Sequence, residues 1–437
     1  MKRILCLMML GLNSAQADNL LDLYDLTVTT HPIVKGHEFS IDQARAQKDI
    51  ALSKLLPQVS ATAVQSWNEM TSQSTSNPKL GMVTTDYPGT RGMIQAKQSL
   101  FDLPSFLQWQ SADSVVLQAE FELDAARMSL VADLVERYFQ VLQEEDSLKY
   151  IEGEKNLTAS DAKRIRRMSE LQLRKVTDLY EVEAYYQTLL TEEIKIKGDR
   201  EIALEKLHEM AGRFVTEVSP LNLQVVPKPD FQIGTFVEDA LVRHPALRAL
   251  SYGLEAADKQ VDSQRAGHLP QFSLQLSDTY ADNSGYDNRS NSRYEVGTVG
   301  VQVNVPIFSG GGIEASVDKA VASYQVALEK RNEKLRQIER EIRTAYVQLK
   351  TSFSRIDSMT KEVEAREKVT EAQAKSYELG VITIVDLLDV KKELLKSRFG
   401  LGKARYEYVK QLVALKLWSG SLQRSDVEEI NGWLSKG

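Results

Sequence analysis

The landmarks of the first half of this chain return in the same order in the second, so whatever it folds into must be built twice. His31-Pro32 recurs as His244-Pro245, and Leu56-Pro57-Gln58 recurs at the same offset as Leu269-Pro270-Gln271. Leu100-Phe101 then matches Ile307-Phe308, and Glu170-Leu171, Asp178-Leu179 and Val182 match Glu378-Leu379, Asp386-Leu387 and Val390. The expected division is a first repeat over 18–230 and a second over 231–437, preceded by a short leader.

That leader is residues 1–17, read as an export signal: Lys2 and Arg3 precede the apolar run Ile4 to Leu12, and Ala15-Gln16-Ala17 has the small-x-small form that a signal peptidase cuts. Cys6 is the only cysteine and leaves with it, which excludes a disulfide scaffold. At 42% hydrophobic the chain is no disordered polymer. Its 54 basic and 61 acidic residues are spread along it, which gives no support for a nucleic-acid partner. After Leu12 no apolar run approaches the roughly 18 residues of a transmembrane helix.

The eleven prolines leave 105–219 and 307–437 empty, and such stretches permit very long helices. Each half is expected to open with a helix at its His-Pro, where the missing N–H costs nothing, and to run to Leu-Pro-Gln. Two strands follow, making hairpins over about 58–100 and 271–306. In the second, Phe272, Leu274, Leu276 and Tyr280 share one face against Ser273, Gln275, Ser277 and Thr279, and the loop 281–292 leads to a return strand with Val299, Val301, Val303 and Val305 on one face. In the first, Val59, Ala61, Ala63 and Trp67 lead out, and a weaker pattern from about Arg91 to Leu100 leads back. A coiled-coil seam then spans Leu335, Ile338, Ile342, Ala345, Leu349, Ser352, Ile356, Met359 and Val363, with a looser version from Val116 through Leu123, Leu130 and Leu134 to Val141. A helix from near Ile313 to near Tyr377 would be about 100 Å long. Gly380 and the β-branched run after it interrupt it, and a second helix returns from Asp386 to about Trp418, with 212–235 and 419–437 read as short connecting structure.

Strands of about ten residues that alternate apolar with small polar suit a tilted bilayer crossing between lipid and water. Four strands cannot close a barrel, and open edges are not tolerated in lipid. Several copies must therefore share one barrel, and three would supply twelve strands. With the long helices attached, the fold class is a mixed α and β membrane protein. A hollow helical bundle continuous with a barrel is a duct.

At this point the chain resembles the TolC family of trimeric outer-membrane exit ducts. The resemblance rests on the duplicated His-Pro and Leu-Pro-Gln elements, on Val305-Pro306-Ile307-Phe308-Ser309-Gly310-Gly311, and on Tyr377-Glu378-Leu379-Gly380 followed by Thr383-Ile384-Val385-Asp386-Leu387-Leu388-Asp389. It implies a homotrimer with a twelve-stranded β-barrel in outer-membrane lipid and a periplasmic coiled-coil tunnel. It implies as partners a periplasmic adaptor (membrane fusion protein) and an inner-membrane ABC or other transporter. Members serve type I protein secretion or drug efflux; the first is favoured here because no lipid-anchor cysteine is evident and the Asp386 turn is like the secretion branch. The rival from another class is a non-conducting periplasmic coiled-coil scaffold.

Asp386 and Asp389 fall at i, i+3 at a helix start, where carboxylates are also merely favourable capping residues. The resemblance makes them a constriction at the periplasmic tip, where three chains would stack two carboxylate rings that favour cations. It likewise makes Asp178, Thr177 and Tyr377 polar links that hold the inner helices shut. The family's basic partner in that network falls at Ile382, which cannot take part, and Arg174 and Lys175 on the first-half turn are the candidates to replace it. Tyr280, Trp67, Phe101 and Phe308 are candidates for interfacial aromatic girdles or for ordinary strand-end packing. Neither His37-Glu38 nor His208-Glu209 extends to a metal motif, and Gly310-Gly311-Gly312 lacks the lysine of a phosphate loop. No cofactor, metal or enzymatic activity is expected.

Overall fold

A computed structural model describes residues 18–73, 81–221, 233–282 and 293–434. The signal peptide, the boundary at 230/231 and most of the loop 281–292 lie outside the described residues. The elements are α1 (Leu20–Thr30), α2 (Pro32–Ser53), β1 (Gln58–Gln73), β2 (Met82–Phe101), α3 (Leu103–Glu170), α4 (Val176–Ala211), α5 (Ile233–Arg243), α6 (Pro245–Arg265), β3 (Gln271–Asp282), β4 (Arg293–Asn304), α7 (Gly312–Glu378), α8 (Ile384–Trp418) and α9 (Arg424–Gly432). The order helix, helix, hairpin, long helix, return helix thus occurs twice.

The His-Pro landmark has a local physical cause. Pro32 and Pro245 open α2 and α6, and the imidazole before each accepts from the second helical amide: Ile33 N to His31 Nδ1 and Ala246 N to His244 Nδ1, both 3.2 Å. Histidine here does the work of an N-cap oxygen. His244 is buried against Gly420, whose backbone lies so close that a Cβ there would meet His244 Cα at 2.8 Å, and burial pushes its pKa down to about 4.

Two compact units divide the chain, each drawing on both sequence halves. One holds the residues up to Glu38, Glu122–Arg248 and those from Glu333 on, and its described residues form helices, their connections and isolated bridges. In it the predicted seam of α7 is buried from Ile338 through Ile342, Ala345 and Leu349 to Ile356, whereas Leu335, Met359 and Val363 at its ends are half-exposed. The other, Phe39–Phe121 and Ala249–Asn332, carries one antiparallel sheet in the order β1-β2-β3-β4.

Three expectations change. The strands of the first hairpin have 16 and 20 residues, not about ten, because residues 64–73 and 82–90 continue the ladder despite Pro88 and Gly89. β3 pairs with β2 only from Thr90 onward, so at Pro88 the strand is an edge, where a missing N–H is tolerated. Short helices α1 and α5 precede the His-Pro elements, so each half opens with a helix ahead of its His-Pro and not at it. The segment 419–437 contains α9, which is no mere connector: Arg424 grips Asp25 of α1 at 2.5 and 2.9 Å, and Lys416 reaches Asp426 at 2.6 Å.

Candidate functional site

The two long helices end in the same way. Leu173 N donates to Met168 O at 2.8 Å and Val381 N to Ser376 O at 2.9 Å, the six-residue closure that requires a left-handed residue just past the helix. In the second turn that residue is Gly380, with φ of 76°; in the first it is Gln172, with φ of 57°. Glycine takes this conformation freely, whereas glutamine is strained there by about 1–2 kcal/mol.

These turns bring three of the candidate gate residues together. Tyr377, in the last turn of α7, is buried at 3% exposure, and its hydroxyl points to Asp178 Oδ2 at 3.5 Å. Arg174 lies over its ring, 4.4 Å from the centroid, and donates to the carbonyls of Tyr377 at 2.8 Å and Glu378 at 3.3 Å. One guanidinium therefore satisfies two orphan carbonyls at a helix C-terminus, where the backbone dipole favours a cation, and stacks on an aromatic face as well. Burial first, and then the Asp178 carboxylate, pushes the Tyr377 phenol above its usual range. Lys175 and Thr177 are exposed and stand outside this group. Ile382 packs partly buried against the core of Tyr377, Ile384, Leu387, Leu388, Leu179 and Tyr185, an apolar role in place of a polar one.

Asp386 and Asp389 are both exposed on α8. Asp386 closes a reciprocal cap: its Oδ2 accepts from Thr383 N at 2.9 Å and Thr383 Oγ1 at 2.6 Å, while Thr383 Oγ1 accepts from Asp386 N at 3.2 Å. The hydrogen bonds from Thr383 hold its carboxyl below the ordinary aspartate range. Asp389 has only Lys392, at 3.4 Å, and both side chains are more than half exposed. The buried neighbours Ile384, Leu387 and Leu388 turn the opposite side of the helix to the core and so leave the two carboxylates facing outward.

Beside this lies an ionic relay that the sequence reading missed. Glu378 pairs with Arg164 at 3.0 Å, Arg164 with Asp161 at 3.2 Å, and Asp161 with Lys391 at 2.8 Å, whose ammonium is 3.8 Å from Glu154. Lys391 and Glu154 are 14% and 11% exposed, and burial raises the Glu154 pKa. A signal was present: Lys391 breaks the apolar stripe Ile384, Leu387, Leu388, Leu394, as Glu154 sits in line with Ile151 and Thr158. A charge in the middle of such a stripe needs a buried partner.

The family model for outer membrane efflux proteins matches this chain twice, over residues 23–213 and 236–421. The chain belongs to this family. It is an outer-membrane channel protein with its long helices on the periplasmic side. The outer membrane protein TolC of Vibrio cholerae is 24% identical over 422 residues, covering 96% of this chain and 94% of that one. The alkaline protease secretion protein AprF of Pseudomonas aeruginosa is 25% identical over 422 residues, covering 95% and 87%. The solved CmeC outer membrane channel of Campylobacter jejuni superimposes with a TM-score of 0.80 at 19% identity, over 97% and 93% of the two chains. In this outer membrane efflux protein no described helix is long and apolar enough to cross a membrane. The sheet is apolar on one face, with Val299, Val301 and Val303 at 77%, 61% and 50% exposure.

Proposed function

We propose that three copies of this chain close a twelve-stranded barrel in the outer membrane, and that the duct so formed exports protein delivered by an inner-membrane ABC transporter through a periplasmic adaptor. The observation that carries the assembly is the four-stranded order β1-β2-β3-β4, which leaves β1 and β4 as edges with an exposed apolar face between them. Edges in lipid cost several kcal/mol for each unpaired group, and pairing β4 of one copy with β1 of the next removes them all. Type I protein secretion is favoured by the likeness to a protein named for protease secretion, along nearly the full chain. Drug efflux is the second reading, favoured by the match to the family model for outer membrane efflux proteins over both halves of the chain. In neither does the chain catalyse a reaction.

Deletion in the native host separates them. Under the secretion reading, a transported protein disappears from the culture supernatant and accumulates in the cells while drug sensitivity is unchanged. A fall in drug resistance with intact secretion would assign the chain to efflux.

A further inference from the structure

The strand register sorts the charges of the sheet by face. In an antiparallel pair, directly opposed residues point to the same side, so the rows Ser60–Gln95–Ser277–Thr298 and Val59–Ala96–Leu276–Val299 define a polar and an apolar face. The five carboxylates of the described strands, Glu69, Asp86, Asp278, Asp282 and Glu295, all fall on the apolar side, toward the hairpin ends. There Asp282 is paired with Arg293 at 2.7 Å. The polar side carries two cations, Arg91 and Lys97, and among the described residues no carboxylate. Both cations are exposed, and neither has an ion-pair partner among the described residues. The rest of that side is mostly serine, threonine, glutamine and small residues, with Asn68, Asn304, Met70, Met93, Tyr87 and Tyr294 among them, and none of these carries a charge.

Insertion into a bilayer alone does not explain this sorting, because a water-filled lumen tolerates either sign of charge. The foot of the sheet repeats it. A cavity of about 430 Å³ there is lined by Lys54 and Lys97 with the amides of Gln58, Gln271 and Asn304. Its one carboxylate, Asp102, is engaged in capping α3, accepting from Ser105 N at 3.1 Å and Ser105 Oγ at 2.7 Å. A surface of fixed cations, hydroxyls and amides, with no competing carboxylate, binds carboxylate side chains and repels lysine-rich segments.

We propose that this face is the contact surface for acidic polypeptide in transit, with Arg91 and Lys97 as its cationic points of attachment. The inference rests on the reading that three chains close a barrel with the polar face inward, and it names the class of cargo that barrel favours.

The test is capture of polyglutamate by single channels in planar bilayers, with the polymer added on the extracellular side. Wild-type channels should show current blockades by polyglutamate and few by polylysine, weakening as ionic strength rises and the screening length shrinks from about 10 Å at 0.1 M to about 3 Å at 1 M. In Arg91→Gln/Lys97→Gln the capture rate should fall about tenfold or more, the low end of what electrostatic focusing supplies. Lys97→Glu alone should shift the preference toward polylysine, which keeps the test open should the double variant fail to insert. Equal capture of both polymers by wild type, or wild-type capture by the variants in channels of normal conductance, would overturn the proposal. Absence of any wild-type conductance would instead take down the barrel, and this surface with it.

Discussion

Arg174 caps the carbonyl end of α7 and stacks on Tyr377. A charge-assisted hydrogen bond contributes about 1.5–3 kcal/mol, and each 1.4 kcal/mol or so moves an equilibrium about tenfold. If this contact holds the closed state, Arg174→Ala should raise the resting single-channel conductance or open time by about tenfold, while Lys175→Ala and Ile382→Arg should do little. Wild-type leak in Arg174→Ala would mean that apolar packing alone keeps the helices closed. Gln172 offers a cleaner stability test. Replacing it with the glycine that its counterpart turn already uses should stabilise the protein by about 1 kcal/mol, read as a raised melting midpoint; an unchanged or lower midpoint would show that the left-handed turn carries no strain. The sequence pointed to Arg174 and Lys175 as alternatives without choosing, because the contact spans 203 residues and depends on how the two turns meet. Only the folded chain distinguishes a guanidinium aimed at Tyr377 from a neighbouring ammonium in solvent.

At the scale of elements, the start of α8 serves both capping and exposure. Asp389 has one weak partner, whereas Asp386 is committed to Thr383. If three copies converge there, trivalent metal ions should block the pore from the periplasmic side, and Asp389→Ala should relieve much of that block without disturbing the cap. Asp386→Ala should relieve it too and cost about 1 kcal/mol of stability besides. Block that survives both substitutions would place the constriction elsewhere. The α3–α8 relay makes a pH prediction. Burial raises the Glu154 pKa, so the folded state binds the proton more tightly than the unfolded one. Stability therefore falls as pH rises from the unfolded value through the folded one. Glu154→Gln should melt level with wild type near pH 4 and at or above it near pH 7, in melts followed by circular dichroism; a variant markedly less stable at neutral pH would mean that attraction to Lys391 outweighs desolvation. The long helices were legible because proline-free stretches and a seam such as Ile338 to Ile356 leave few alternatives. Residues 82–90 were not: Pro88 and Gly89 argue locally against a strand, and the pairing with β1 that overrides them is a tertiary fact. The short α1, α5 and α9 lacked the length for their periodicity to stand out.

For the whole molecule, the duplicated landmarks, the two long helix pairs and the four-stranded sheet with unpaired edges all require company. A single chain has a sheet that is apolar on one side and cannot close, and a family whose members are outer-membrane channels. Symmetric closure by identical copies supplies every missing strand partner with a single kind of interface. On the proposed reading, the polar face of the sheet, the exposed aspartates of α8 and the contacts of Tyr377 act together only in that closed form. The most direct measurement is the mass of the detergent-extracted protein by native mass spectrometry under conditions that preserve its channel activity. Three chains per particle is the predicted result. A stable monomer that still inserts into bilayers and conducts would contradict the account.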